Sequence, residues 1–308
     1  MKALITGING FVGKYLYDEV TQSNVQVIGT DLQCNKDLGN CEICDLTAAK
    51  QVRDLISRCR PDVIYHLAGQ SNVGLSWKKP ELTFNINVNG TINLLEAVRE
   101  SCPEAHILII GSSDQYGVIR PEDCPISEKQ GLTPHSPYAI SKAAQEQMAQ
   151  LYVKSYHLYI VMTRSFNHIG PGQGLGFVTS DFASAIVEIE RGRRTDMTVG
   201  NLDAKRDFTD VRDVVRAYRL LMEKGKAGEI YNVGSGQAIA ISGLLDMMRS
   251  ASVSDISVKT EREKLRPSDI PIIKADITKI TRDTGWRPLI PLEDTVAATL
   301  DYWRGVIK

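Results

Sequence analysis

The chain has 308 residues, enough for one large domain or two closely packed ones. Its 36 Lys and Arg nearly balance 37 Asp and Glu, so no net field favours nucleic acid or an anionic membrane. No apolar run approaches the roughly 20 residues of a membrane span. The opening MKALITG reads at once as strand and turn with no room for a signal peptide, so a cytoplasmic location is expected.

Residues 2–6, KALIT, are the first expected strand, and the following GINGFVG sets Gly7, Gly10 and Gly13 between that strand and a helix. Glycines there let the backbone turn tightly and approach a pyrophosphate, which then sits on N–H groups at the helix start. Phe11 and Val12 fall inside the same loop. The second strand, 25–30, runs into Asp31, whose carboxylate would accept from a ribose 2′-hydroxyl and repel a 2′-phosphate. The next residues, LQCNKD, contain no Arg, although Lys36 is near, so NAD(H) is favoured and NADP(H) stays open.

The third strand is short, CEIC at 41–44. Six cysteines (Cys34, Cys41, Cys44, Cys59, Cys102, Cys124) suit a reducing compartment and read as buried or surface thiols. No second Cys/His pair completes a metal site with Cys41 and Cys44, so no metal is expected. Asp45 either approaches the adenine or caps the helix that starts near Thr47, and Leu46 follows it into the cofactor cradle. A fourth strand at 62–67 ends at Leu67 and Ala68, which are placed against the cofactor as well.

Helical patterns cover 81–101 and 137–155, with strands at 106–111 and 159–164. The strand at 106–111 opens into Ser112-Ser113-Asp114. About 25 residues later, Tyr138 and Lys142 stand four apart and so share one helix face. A free tyrosine has a pKa of about 10, and a nearby ammonium is expected to lower it toward the working range. Ser112 can share the substrate oxygen that Tyr138 protonates. Past residue 165, Gly and Pro cluster in NHIGPGQGLG, and the strand and helix signals become less regular.

These motifs together resemble the extended short-chain dehydrogenases/reductases that act on nucleotide sugars: the glycine loop, HLAGQS (66–71), NVNGT (87–91), Ser112, Tyr138 and Lys142. The resemblance implies an α/β fold, a Rossmann-type doubly wound parallel sheet with a smaller, mixed α/β C-terminal substrate domain. Residues 1–165 plus roughly 204–234 would bind the dinucleotide, and roughly 166–203 plus 235–308 the nucleotide sugar. It further implies that Ser112, Tyr138 and Lys142 are catalytic and that Asn87 supports the proton path. Helices 81–101 and 137–155 would build a homodimer interface.

Three later stretches, 166–183, 200–213 and 265–271, resemble the GDP-mannose branch, which holds 4,6-dehydratases and the 4-keto reductases that follow them. By that resemblance Asn167, Arg206 and Arg266 meet a GDP-sugar diphosphate and Asp269 its ribose, with Ser113 and Val178 also on the substrate. The dehydratases carry Glu at the position of Asp114, FNHESP where this chain has FNHIGPGQ, and a long basic insertion after the second strand. The expected activity is therefore NAD(P)H-dependent reduction of the C4 keto group of GDP-6-deoxy-D-lyxo-4-hexulose. Asp114 is then a positioning residue beside the catalytic group. Dehydration of GDP-mannose, another nucleotide-sugar epimerase or dehydratase, and an NAD-sensing binding protein are the alternatives.

Overall fold

A computed structural model of the protein describes residues 1–22, 25–34, 40–260 and 270–308. The first half alternates β1 (Lys2–Thr6), α1 (Phe11–Thr21), β2 (Gln26–Asp31), β3 (Cys41–Ile43), α2 (Ala49–Cys59) and β4 (Val63–His66). Then come α3 (Val73–Lys78), α4 (Pro80–Phe84), a π-turn at Asn85–Asn89, α5 (Gly90–Ser101), β5 (His106–Ser112), α6 (Pro137–Tyr156) and β6 (Ile160–Ser165). The second half holds β7 (Asn167–Ile169), α7 (Val178–Glu190), β8 (Asp196–Val199), β9 (Lys205–Arg206), β10 (Phe208–Asp210), α8 (Val211–Lys224) and β11 (Ile230–Val233). It closes with β12 (Ile239–Ala240), α9 (Ile241–Ser250), β13 (Ser257–Thr260), α10 (Thr278–Thr284) and α11 (Leu292–Val306).

Seven strands form one sheet in the order β11-β6-β5-β4-β1-β2-β3, every pair parallel. The chain winds outward from β1 through β2 to β3, then returns to the other side of β1 with β4. That reversal opens a crevice at the carboxyl ends of β1 and β4. Both faces of the sheet are covered, which is why its strands read as near-continuous apolar runs. On one face α2, α5 and α6 close over Leu4, Ile64, Ile107 and Ile160. On the other, α1, α8 and α10 close over Ile5, Tyr65, Leu108 and Tyr231. A third cluster joins Phe182, Ile186, Leu244, Met248, Leu300 and Trp303 among α7, α9 and α11.

The helix expected at 81–101 is interrupted: a π-turn widens the backbone at Asn85–Asn89. The extra width sets Asn87 inward, where its amide bonds Gln70 and Ser141, while Thr91 one turn later reaches His66. The expectation of six free thiols is also corrected. Cys34 and Cys41 are joined, with Cα atoms 5.6 Å apart, because β3 folds back beside β2 and brings the two ends of the connection together. Cys44 and Cys59 are buried thiols, and Cys102 and Cys124 are partly covered. Among the described residues no helix is long and apolar enough to cross a membrane.

Candidate active site

A cavity of about 1370 Å³ lies over the carboxyl edge of the sheet. Gly7, Gly10, Phe11, Val12, Gly13, Asp31, Asp45, Leu46, Leu67 and Ala68 line one end of it. Ser112, Ser113, Asp114, Tyr138 and Lys142 stand on its walls, as do Asn167, Val178 and Arg206. Arg266, Asp269 and Lys36 lie outside the described residues.

The glycine loop fits a dinucleotide phosphate. Gly7 has φ +73°, and a Cβ there would come within 2.9 Å of the Ala68 backbone; at Gly13 it would meet the Gly7 carbonyl at 2.4 Å. No side chain caps the start of α1, so its first amides remain for an anion. The Asp31 carboxylate accepts from Asn9 N at 3.1 Å and from Leu32 N at 2.8 Å, which orients it at the end of β2. Asp45 accepts from Thr47 N and Thr47 Oγ1 at 2.9 and 2.7 Å, a turn that launches α2, while still bordering the cavity.

Ser136 caps α6 through Ala139 N, and Pro137 follows in the first turn, so Tyr138 and Lys142 enter the cavity on one face. Burial pushes the Tyr138 phenol well above its usual range, and the Asp114 charge adds to the shift; a hydrogen bond with Ser112 opposes it. This corrects the expectation that Lys142 draws the phenol down. The Lys142 ammonium donates to the Ile110 carbonyl at 2.7 Å and to Gln145 Oε1 at 3.0 Å, and burial lowers its own pKa to about 8. Asn87 is fully buried behind this wall, where its amide ties Gln70 to Ser141.

Ser112 is held by residues that spacing alone did not single out. Gln115 Oε1 accepts from Ser112 N at 2.7 Å, and Gln115 Nε2 donates to Glu146 Oε2 at 2.9 Å. Glu146 in turn accepts from Arg164 Nε and Nη2 at 2.8 and 2.7 Å, with both side chains nearly inaccessible. Burial opposes the Arg164 charge, and the bond to Glu146 more than offsets it, so the guanidinium stays protonated. A sequence signal existed only for Glu146, four residues after Lys142 on the same face of α6.

Across the cavity, Arg206 Nη1 donates to the Lys205 and Ile270 carbonyls at 2.9 and 2.8 Å. Gln173 Nε2 is fixed by the His168 carbonyl, but Gln173 Oε1 and Thr179 Oγ1 are buried at the cavity wall without a partner among the described residues. Orphaned polar atoms of this kind carry a desolvation cost of about 1–3 kcal/mol each unless a ligand meets them.

A protonated phenol, a serine and an ammonium beside a glycine loop that fits a phosphate are suited to proton transfer at an oxygen-bearing carbon next to a bound hydride carrier. The class so defined is the extended short-chain dehydrogenases/reductases, and the protein is a nucleotide-sugar enzyme of that type. Residues 4–299 match the family described as GDP-mannose 4,6 dehydratase, and the chain belongs to it. It is 30% identical to a GDP-6-deoxy-D-mannose reductase of Pseudomonas aeruginosa, covering 100% of this chain and 98% of the relative. GDP-mannose 4,6 dehydratase 2 of Arabidopsis thaliana is also 30% identical, over 97% of this chain and 86% of its own length. Among solved structures, RMD from Pseudomonas aeruginosa complexed with NADPH superposes with a TM-score of 0.90 at 31% identity, covering 99% of each chain. The Thermus thermophilus UDP-glucose 4-epimerase complex with NAD gives 0.90 at 27% identity, over 100% of both chains. The site is thus an NAD(P)-binding one.

Proposed function

We propose that the protein reduces the C4 keto group of a GDP-4-keto-6-deoxy-hexose, using NAD(P)H. The observation that carries this reading is Asp114, which lines the cavity with Ser112 and Tyr138 and is one methylene shorter than the Glu of the dehydratases. Burial and Asp114 both hold the phenol in its acid form, suited to giving a proton to the O4 that forms on reduction. A 4,6-dehydratase must also take a proton from C5 and release water at C6, which needs a carboxylate that reaches the far edge of the sugar, and Asp114 ends one methylene short of the dehydratases' Glu. When bound, the nicotinamide supplies the hydride. Tyr138 and Ser112 hold O4, and Lys142 holds the ribose side of the site. Arg206 and Asn167 take the diphosphate, while Gln173 Oε1 and Thr179 Oγ1 offer an acceptor and a hydroxyl to the sugar.

The deciding experiment is a mass-spectrometric product assay on purified protein. Offered GDP-mannose with NAD(P), it is expected to release no 4-keto-6-deoxy product at a useful rate; offered that product with NAD(P)H, it is expected to reduce it. Asp114→Asn removes a charge that raises Tyr138, so reduction should persist with at most a few-fold change in KM, while the phenol becomes easier to ionise. Robust water loss from GDP-mannose by the wild type would instead assign the protein to dehydration.

Within the NAD(P) class we favour NADH, because Asp31 ends β2 with its carboxylate bordering the cavity. Asp31→Ala should then shift the ratio of kcat/KM toward NADPH by about tenfold or more, since a charge-assisted hydrogen bond is lost with one cofactor and a repulsion relieved with the other. A wild type that strongly prefers NADPH would show that the carboxylate serves only the Asn9 and Leu32 amides.

We also propose a homodimer through α4, α5 and α6. Leu82, Phe84, Ile140, Leu151 and Tyr156 are more than a third exposed on α4 and α6, an apolar set that a second copy of the same surface would cover. Sedimentation velocity should give a dimer, and Ile140→Lys with Leu151→Lys should give monomers; a monomeric wild type would contradict it.

A further inference from the structure

Two hydroxyls on the cavity floor have no role in the reading above. Tyr218, on α8, is fully buried, and its hydroxyl lies 2.8 Å from Ser165 Oγ at the end of β6. Thr163 Oγ1 lies 3.3 Å from the same Ser165 oxygen. Both Ser165 and Tyr218 line the cavity that Ser112, Tyr138 and Lys142 share. Ser165 is the register partner of Ser112 across β5 and β6, so the two serines stand side by side at the sheet edge.

The position of this pair follows from the topology. The phosphate loop sits at β1 and Asp31 at β2, so the adenosine half of a dinucleotide lies toward β2 and β3. Its other half must then extend over the ends of β4, β5 and β6. Tyr138 reaches that region from α6, on one face of the sheet; Tyr218 reaches it from α8, on the opposite face. Both tyrosines line the same cavity, and burial keeps the Tyr218 phenol un-ionised.

The proton count completes the argument. Three hydroxyls bring three protons to two contacts. If Tyr218 and Thr163 both donate to Ser165, the two lone pairs of Ser165 are filled and its own O–H is left to donate elsewhere. The open side of Ser165 is the cavity.

We propose that Ser165 is a cofactor-positioning residue whose hydroxyl donates to the nicotinamide carboxamide, and that Tyr218 orients it. This rests on the dinucleotide reading of the cavity and is independent of which sugar the enzyme reduces. The amide carbonyl is the one strong neutral acceptor on a nicotinamide ring. Anchoring it fixes the rotation of the ring about its ribose bond, and therefore which face meets the substrate.

The test compares two ligands that differ only in the part recognised. Dissociation constants for NADH and for ADP-ribose, which lacks the nicotinamide, are measured calorimetrically on wild type, Ser165→Ala, Ser165→Thr and Tyr218→Phe. The same titrations with NADPH and 2′-phospho-ADP-ribose cover a preference for the phosphorylated cofactor, so an error about Asp31 cannot pass for an error about Ser165. The expected result is about tenfold weaker NADH binding by Ser165→Ala, the effect of one lost hydrogen bond, with ADP-ribose unchanged. Tyr218→Phe should weaken NADH selectively by a smaller factor, and Ser165→Thr should restore binding. Equal weakening of both ligands would make the pair a structural contact only and overturn the proposal. An NADH constant within twofold of wild type in Ser165→Ala would overturn it as well.

Discussion

Tyr138→Phe is expected to lower kcat for keto reduction by about 10²–10⁴-fold, the usual contribution of a placed general acid, with little change in NADH binding. The phenol is the proton source on the cavity wall that burial keeps loaded, and Ser112 alone has no comparable acidity. The pH profile should carry a second signature. Because the Tyr138 pKa is raised, its proton is retained well past neutrality, so the alkaline limb belongs to Lys142. That ammonium is charged below its pKa of about 8 and neutral above it, so kcat should hold at neutral pH and fall as pH rises through about 8. Single-turnover hydride transfer across that range checks both points. Near-normal turnover in Tyr138→Phe would place the acid elsewhere.

The second large effect is expected on stability, from Arg164→Leu. This substitution leaves the Glu146 carboxylate buried without its cation, and breaking such a pair costs about 3–5 kcal/mol. In a chain of 308 residues that is a fall of roughly 5–8 °C in melting temperature. The damage reaches the site through Gln115, which links Glu146 to the Ser112 amide, so kcat should drop along with stability. Replacing both partners, Glu146→Leu with Arg164→Leu, removes the uncompensated charge and should recover a large part of the loss. Calorimetric scans of the two single variants and the double variant decide the matter. A single variant within about 1 kcal/mol of wild type would mean that water enters and solvates Glu146.

Much of this protein is legible from its sequence because the relevant signals are local. The apolar runs of β1, β2, β4, β5 and β6 alternate with helical periodicity, and a parallel sheet follows from that order. Gly7, Gly10 and Gly13 act on adjoining peptide bonds, and Tyr138 and Lys142 are helix neighbours by arithmetic. Asp31 needs only the end of β2. Tertiary structure decided the remainder, since its pairs are distant in the chain and meet only through the strand order. Gln115 finds Glu146 and Arg164 because β5 and β6 are adjacent and α6 covers them. Tyr116 finds Asn232 across 116 residues because β11 completes the sheet beside β6. The Cys34–Cys41 bridge depends on β3 pairing beside β2. The direction of the Tyr138 shift depends on burial, which no spacing rule contains. Local chemistry named the candidate pair; the low-dielectric surroundings built by the whole fold set the direction in which each of its pKa values moves.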